Sequence, residues 1–100
     1  MARVAVLVPD LLFGSHVQGG VQAAGHELVA VDADPDLVIA DVEALDPAEI
    51  DGRVRLGFYP HVSVEFKRAA FAAGFDMVVP RSRIARELPE LVERLVSRKN

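Results

Sequence analysis

Apolar runs of strand length alternate along this chain with segments of helical period. Residues 3–8, RVAVLV, form an unbroken, largely β-branched run, the pattern of a strand covered on both faces. Four further runs follow: HELVAVD at 26–32, DLVIAD at 36–41, RVRLGFY at 53–59 and DMVV at 76–79. Between the first two, residues 13–25 read as a helix, with Ser15 placed to cap it and Gly25 placed for a left-handed C-terminal turn. Gly19 and Gly20 lie inside that helix, each at a cost of about 1 kcal/mol against Ala, so something should pack closely on that face. Before the fifth run, Val62, Phe66, Ala69, Ala70 and Ala73 share one helical face, with His61 or Ser63 near its start and Gly74 as its stop. In residues 81–99 Ile84, Leu88, Leu91, Leu95 and Val96 face one way. Pro89 divides that last stretch. Proline is tolerated in a helix's first turn, so the pattern predicts one turn and then a helix starting near Pro89.

Strands alternating with helices predict parallel βαβ units with right-handed crossovers. The expected fold is a three-layer, flavodoxin-like α/β domain over residues 1–100, with five mostly parallel strands in order 2-1-3-4-5. One join is irregular. Only a few residues separate the second run from the third, and no helix fits there. Parallel neighbours normally need a crossover of about a dozen residues. If the two strands flank the first, residues 31–37 cross as bare chain, and six steps of roughly 3.4 Å reach about 20 Å. A tight helix-less crossing is preferred over an antiparallel hairpin or exchange with a second subunit. It would leave one sheet face thinly covered, which a homodimer could hide.

Composition narrows the function classes. The 100 residues are 51% hydrophobic and include no cysteine, which removes disulfides, thiolate nucleophiles and Cys-based zinc sites. The apolar runs are too short for a membrane span, and Pro9 and Asp10 interrupt the first one, so it reads as a strand and not as a signal peptide. The expected setting is cytoplasmic. A net charge of −4 argues against nucleic acid as the main partner. The charge is uneven: residues 27–51 hold nine acids and no Lys or Arg, and residues 81–99 hold six basic residues against three acids. Solvated faces explain this pattern; docking between unlike faces is the sharper alternative.

Two stretches carry family resemblances. FGSHVQGGVQAAGHELVAVD resembles the opening of an extended short-chain dehydrogenase, with Asp32 as the acid at the end of the second strand. In that motif two glycines admit a pyrophosphate and a third lets helix and strand pack closely. With Gly14 as the third, the other two positions are Val8 and Leu11, and Pro9 removes an N–H donor. Only the packing glycine remains.

The second resemblance covers nearly the whole chain. PDLVIADV and AAFAAGFDMVVPRS resemble the third strand and the passage into the fifth strand of receiver domains of two-component response regulators. That resemblance implies a phospho-acceptor role for Asp41. It implies Mg²⁺ binding by an acidic pair after the first strand, where this chain reads Pro9 and Asp10. The family lysine falls on Pro80, with Arg81 one step later, and the Thr or Ser that ends the fourth strand falls on Phe58 or Tyr59. Phosphoryl transfer to a carboxylate needs a divalent cation and a positive partner for the gathering oxygens. The pattern implies a receiver fold with a degenerate acceptor site, a pseudo-receiver.

The expected binding edge, at the carboxyl ends of the strands, carries Asp10, Asp41, Tyr59, His61 and Arg81. Asp10 and Asp41 could hold a weak metal site, with His61 as a third ligand; helix capping explains the same carboxylates without a metal. Arg81, Ser82 and Arg83 form a small basic loop that fits a phosphate, a partner's acids or plain solvation. His16 and His26 show no shared spacing and take no role. The expected function is a non-catalytic regulatory or protein-interaction module, working through the helices on either side of the fifth strand, with no cofactor beyond a weak Mg²⁺. The rival is a small metal- or nucleotide-dependent enzyme using Asp10, Asp41 and His61.

Overall fold

The structure, a computed structural model, describes residues 1–60 and 64–97. Its five strands are β1 (Arg3–Leu7), β2 (Glu27–Leu28), β3 (Leu37–Asp41), β4 (Arg55–Tyr59) and β5 (Met77–Pro80). Its helices are α1 (Leu11–Ala23), α2 (Val64–Ala72) and α3 (Arg81–Ser97), with a 3-10 turn at Pro47–Glu49. The strands form one sheet in order β2-β1-β3-β4-β5, and every neighbouring pair is parallel. The order and the missing helix between β2 and β3 agree with the sequence reading.

β2 is far shorter than residues 26–32, and its brevity solves the crossing. Leu28 on one side of β1 and Leu37 on the other both stand level with Val4. After Val29 donates its N–H to the Val4 carbonyl (2.9 Å), the chain turns back through a bond from Ala33 N–H to the Ala30 carbonyl. Asp34, just after that turn, takes a positive φ of 56°. Asp36 then donates to the Arg3 carbonyl at 2.7 Å, and β3 begins. The crossing therefore stays at one end of the sheet and needs no span across its height. The expected strand at 29–32 is absent because the chain has to return there. Val31 is exposed accordingly.

Two apolar layers close the sheet. α1 and α3 cover one face, where Val17 and Val21 meet Leu37, Leu56, Ile84, Leu88 and Leu91. A Cβ on Gly20 would lie 2.5 Å from Leu88 Cδ2, so this glycine lets α1 approach α3. α2 and the segment after β3 cover the other face, with Ile50, Ala70 and Phe75 on Val38, Ala40 and Val78. Leu45 packs there as well, so the segment between β3 and β4 stands in for a helix over the face expected to be thin. Gly25 ends the turn after α1 at φ 88°.

Two helix boundaries differ from expectation. α1 begins at Leu11, and its N-cap is Asp10 in place of Ser15, because the Asp10 carboxylate accepts the Leu12 and Phe13 N–H groups. α3 starts directly at Arg81, so Arg81, Ser82 and Arg83 are helical where a loop was expected; only the break at Glu87 (φ −124°, ψ 19°), with Pro89 in the new first turn, follows the sequence pattern. His26 is buried: its Nδ1 accepts the Ala2 N–H at 3.0 Å, and its Nε2 lies 3.2 Å from Glu93 Oε1. It ties the start of β1 to the end of α3. No helix of the described residues is long and apolar enough to cross a membrane.

Candidate functional site

The carboxyl ends of β1, β3, β4 and β5 bring Asp10, Asp41, Tyr59 and Arg81 to one edge of the sheet. His61 lies outside the described residues. Asp10 follows β1 and caps α1. Its Oδ1 accepts Leu12 N–H at 3.0 Å and Phe13 N–H at 3.1 Å, and its Oδ2 faces Arg81 at 3.5 Å. The Phe13 N–H above all holds the Asp10 carboxyl below its ordinary pKa; desolvation opposes it, and the Arg81 guanidinium and the Leu12 N–H add to the lowering.

Asp41 ends β3 and is buried. Its Oδ1 accepts Glu43 N–H at 2.9 Å and Ala44 N–H at 3.1 Å, and its carbonyl accepts Leu45 N–H at 3.0 Å. The segment after it is a turn and not the helix its capping role suggested. Oδ2 takes no hydrogen bond among the described residues. Tyr59 ends β4 but packs inward, in the layer with Ala70 and Val78.

Arg81 opens α3 straight after Pro80, the last residue of β5. Its guanidinium lies over the Phe13 ring, 4.1 Å from the centroid, and Phe13 meets Phe58 edge-on at 5.2 Å. This stack of a cation on two rings was not legible in the sequence. The one signal was Phe13 three residues after a capping Asp, which puts its ring beside the helix start.

Among the described residues the donors do not fit a divalent cation. Each carboxylate spends one oxygen on two backbone N–H groups, and Asp10 turns the other toward a fixed positive charge. No group of three or more His, Asp or Glu side chains stands together to hold a metal among the described residues. Nor does the geometry fit a dinucleotide. Asp32 lies in the turn after β2, in a hollow with Asp51 and Arg53 that precede β4, at the opposite end of the sheet from the β1–α1 junction. An acid so placed cannot reach a nucleotide bound over α1.

No family profile matches the sequence, and no curated protein matches it. Solved structures do. A two-component response regulator of the LuxR family from Aurantimonas sp. SI85-9A1 is 21% identical, with 97% of this chain and 86% of that one covered at a TM-score of 0.78. A CheY-like receiver domain protein from Methanospirillum hungatei JF-1 is 14% identical over 98% of this chain and 95% of that one, also at 0.78. A response regulator from Thermotoga maritima is 16% identical over 95% and 97%, at 0.73. At such identities the likeness speaks for architecture. The chain has the fold of a response-regulator receiver domain, with the helix between its second and third strands absent.

Proposed function

We propose that this chain is a receiver-like regulatory module that works by binding a protein partner and does not accept a phosphoryl group. The observation that carries the reading is Arg81, held on the Phe13 ring and turned toward Asp10 where an acceptor site would gather a metal ion. Pro9 and Pro80 support it, since neither offers a carboxylate or an ammonium group at the positions where the receiver pattern calls for them. Asp41 keeps the acceptor position, yet a carboxylate attacking a phosphoryl group needs the oxygens' charge neutralised by a cation, and Arg81 is turned to Asp10 and the Phe13 ring.

The partner surface in this reading is α2 with the start of α3. Val64 and Phe71 are exposed on α2, and Lys67 and Arg68 are exposed beside them. Apolar and basic groups in one patch suit a protein surface that offers apolar and acidic groups in return. The rival enzyme reading, built on Asp10, Asp41 and His61, draws no support from carboxylates that are both engaged in capping.

Incubation with acetyl phosphate and Mg²⁺ tests the proposal. Intact-mass spectrometry should show no added phosphoryl group, and Mg²⁺, Mn²⁺ or nucleotides should leave the thermal midpoint unchanged. A phosphorylated Asp41, lost in Asp41→Asn, would sink the reading. A metal- or nucleotide-dependent rise in midpoint would favour the enzyme instead.

A further inference from the structure

Among the described helices α1 alone has no Asp, Glu, Lys or Arg, in a chain that is 26% charged; its one titratable side chain is His16. Its outer face is nevertheless open to solvent over its whole length. Leu11 and Leu12 are 84% and 87% exposed, and Ser15, Gly19, Gln22 and Ala23 are exposed below them. Solvated helix faces normally carry charge, as the outer faces of α2 and α3 do. Two leucines side by side in water at the head of an uncharged face mark a surface meant to be covered.

Gly19 points the same way. Glycine is unfavourable inside a helix, so an interior glycine calls for a reason. Gly20 has one, in the Leu88 side chain that a Cβ would strike. Gly19 has none within the chain, since a Cβ there would meet no atom within 4 Å. A neighbour from outside, approaching close to the backbone, would supply the missing reason.

We infer that the outer face of α1 packs antiparallel against α1 of a second copy of this chain. Two features select a second copy over another protein. The first is charge. Each copy carries −4, and a two-fold contact sets like surfaces against each other, so self-pairing is favoured where the surface has no charge to oppose itself. The second is shape. Along one line of the face the side chains are bulky at the first turn, with Leu12 beside Leu11, and small from Ser15 through Gly19 to Ala23, with Gln18 and Gln22 to one side. An antiparallel pair lays the leucines of one copy over the small residues of the other, at both ends together. A helix of 13 residues is about 20 Å long, so the buried area is below that of a standard interface, and the dimer is weak and concentration-dependent. This surface is separate from the α2 patch, and the inference stands whether or not Asp41 is ever phosphorylated.

Sedimentation equilibrium of the full chain, from micromolar to millimolar concentration, tests it. The wild-type chain should dimerise reversibly. Leu12→Glu and Gly19→Arg should each raise the dissociation constant by about tenfold or more. Both residues face solvent, so at dilutions where the chain is monomeric Leu12→Glu should keep the wild-type thermal midpoint, and Gly19→Arg should match or exceed it because Arg is the better helix former. Phe71→Glu, on α2, should dimerise as the wild type does. A wild-type chain that stays monomeric to millimolar concentration overturns the inference, as does either α1 variant that keeps the wild-type constant.

Discussion

The two ends of the sheet use carboxylates in opposite ways. At the end where the strands begin, Asp36 and Asp76 each join two strands that are remote in sequence. Asp36 precedes β3; its Oδ2 accepts the Arg3 N–H at 2.9 Å, and its own N–H goes to the Arg3 carbonyl. Asp76 precedes β5 and repeats the arrangement on Arg55, at 2.8 and 3.0 Å. At the end where the strands finish, Asp10 and Asp41 each give one oxygen to N–H groups two or three residues ahead, and Asp10 reaches farther only through Arg81 at 3.5 Å. Each end also seats an arginine on a phenylalanine ring: Arg55 on Phe75 at 5.1 Å, Arg81 on Phe13 at 4.1 Å. The difference is one of reach. Carboxylates at the strand starts pin the register of the sheet, and those at the strand ends shape their own loops. A phosphoryl site would need the latter to converge on one ion, and local capping turns them away from that task.

The largest effects should come from the rings. Phe13→Ala and Phe75→Ala each remove a buried aromatic side chain, and each should cost about 3–5 kcal/mol in chemical denaturation. Equal losses would show that the two ends are matched in packing and differ only in how their carboxylates are used. A Phe13→Ala loss below 1 kcal/mol would break that half of the comparison. Next comes Asp41→Ala, which leaves the part-buried Glu43 and Ala44 N–H groups without their acceptor, at about 1–2 kcal/mol. Asp36→Ala and Asp76→Ala should each cost about 1 kcal/mol, because their bonds lie nearer solvent. The two serve different strand pairs, so the double variant should show the sum of the single losses. Strong coupling between them would mean that the strand starts act as one network and not as two separate clasps.

How much of this was readable in advance follows from the range of each interaction. β3 was legible to within a residue because Leu37–Asp41 is buried on both faces, which leaves an unbroken apolar run. β2 was overread because HELVAVD has the right composition for a strand, and only the need to reach β3 without a helix cuts it to two residues. The start of α1 was placed late because Leu11 and Leu12 face solvent, so the apolar period begins at Phe13 while the hydrogen bonds begin at Asp10. The Asp36–Arg3 and Asp76–Arg55 clasps span 33 and 21 residues, and no local pattern marks them. In the sequence Arg81 stands as a cation one step after the lysine position of the receiver pattern. That it would rest on Phe13 could not be read, since only the folded sheet brings β5 and α1 to one edge.

The smallest effect isolates the charge of Asp10 from its capping bonds. Asn caps a helix about as well as Asp, so Asp10→Asn should keep the bonds to Leu12 and Phe13 and remove the negative charge. In the folded chain Asp10 holds its proton less tightly than its ordinary value of 3.8, because the Phe13 N–H and the Arg81 guanidinium favour the ionised form. A lowered folded pKa contributes stability that is complete above the ordinary value and fades as pH falls through the lowered one. Wild type should therefore be slightly more stable than Asp10→Asn at neutral pH, and the two unfolding curves should merge below pH 3.8. The half-exposed Asp10–Arg81 pair is screened by solvent, so added salt should shrink the neutral-pH gap. A gap that persists unchanged at acidic pH would mean that Asn fails as a cap and that charge has no part in the difference. In that case Asp10 would act at its end of the sheet through hydrogen bonds alone, as Asp36 and Asp76 do at theirs, and the contrast between the two ends would reduce to distance along the chain.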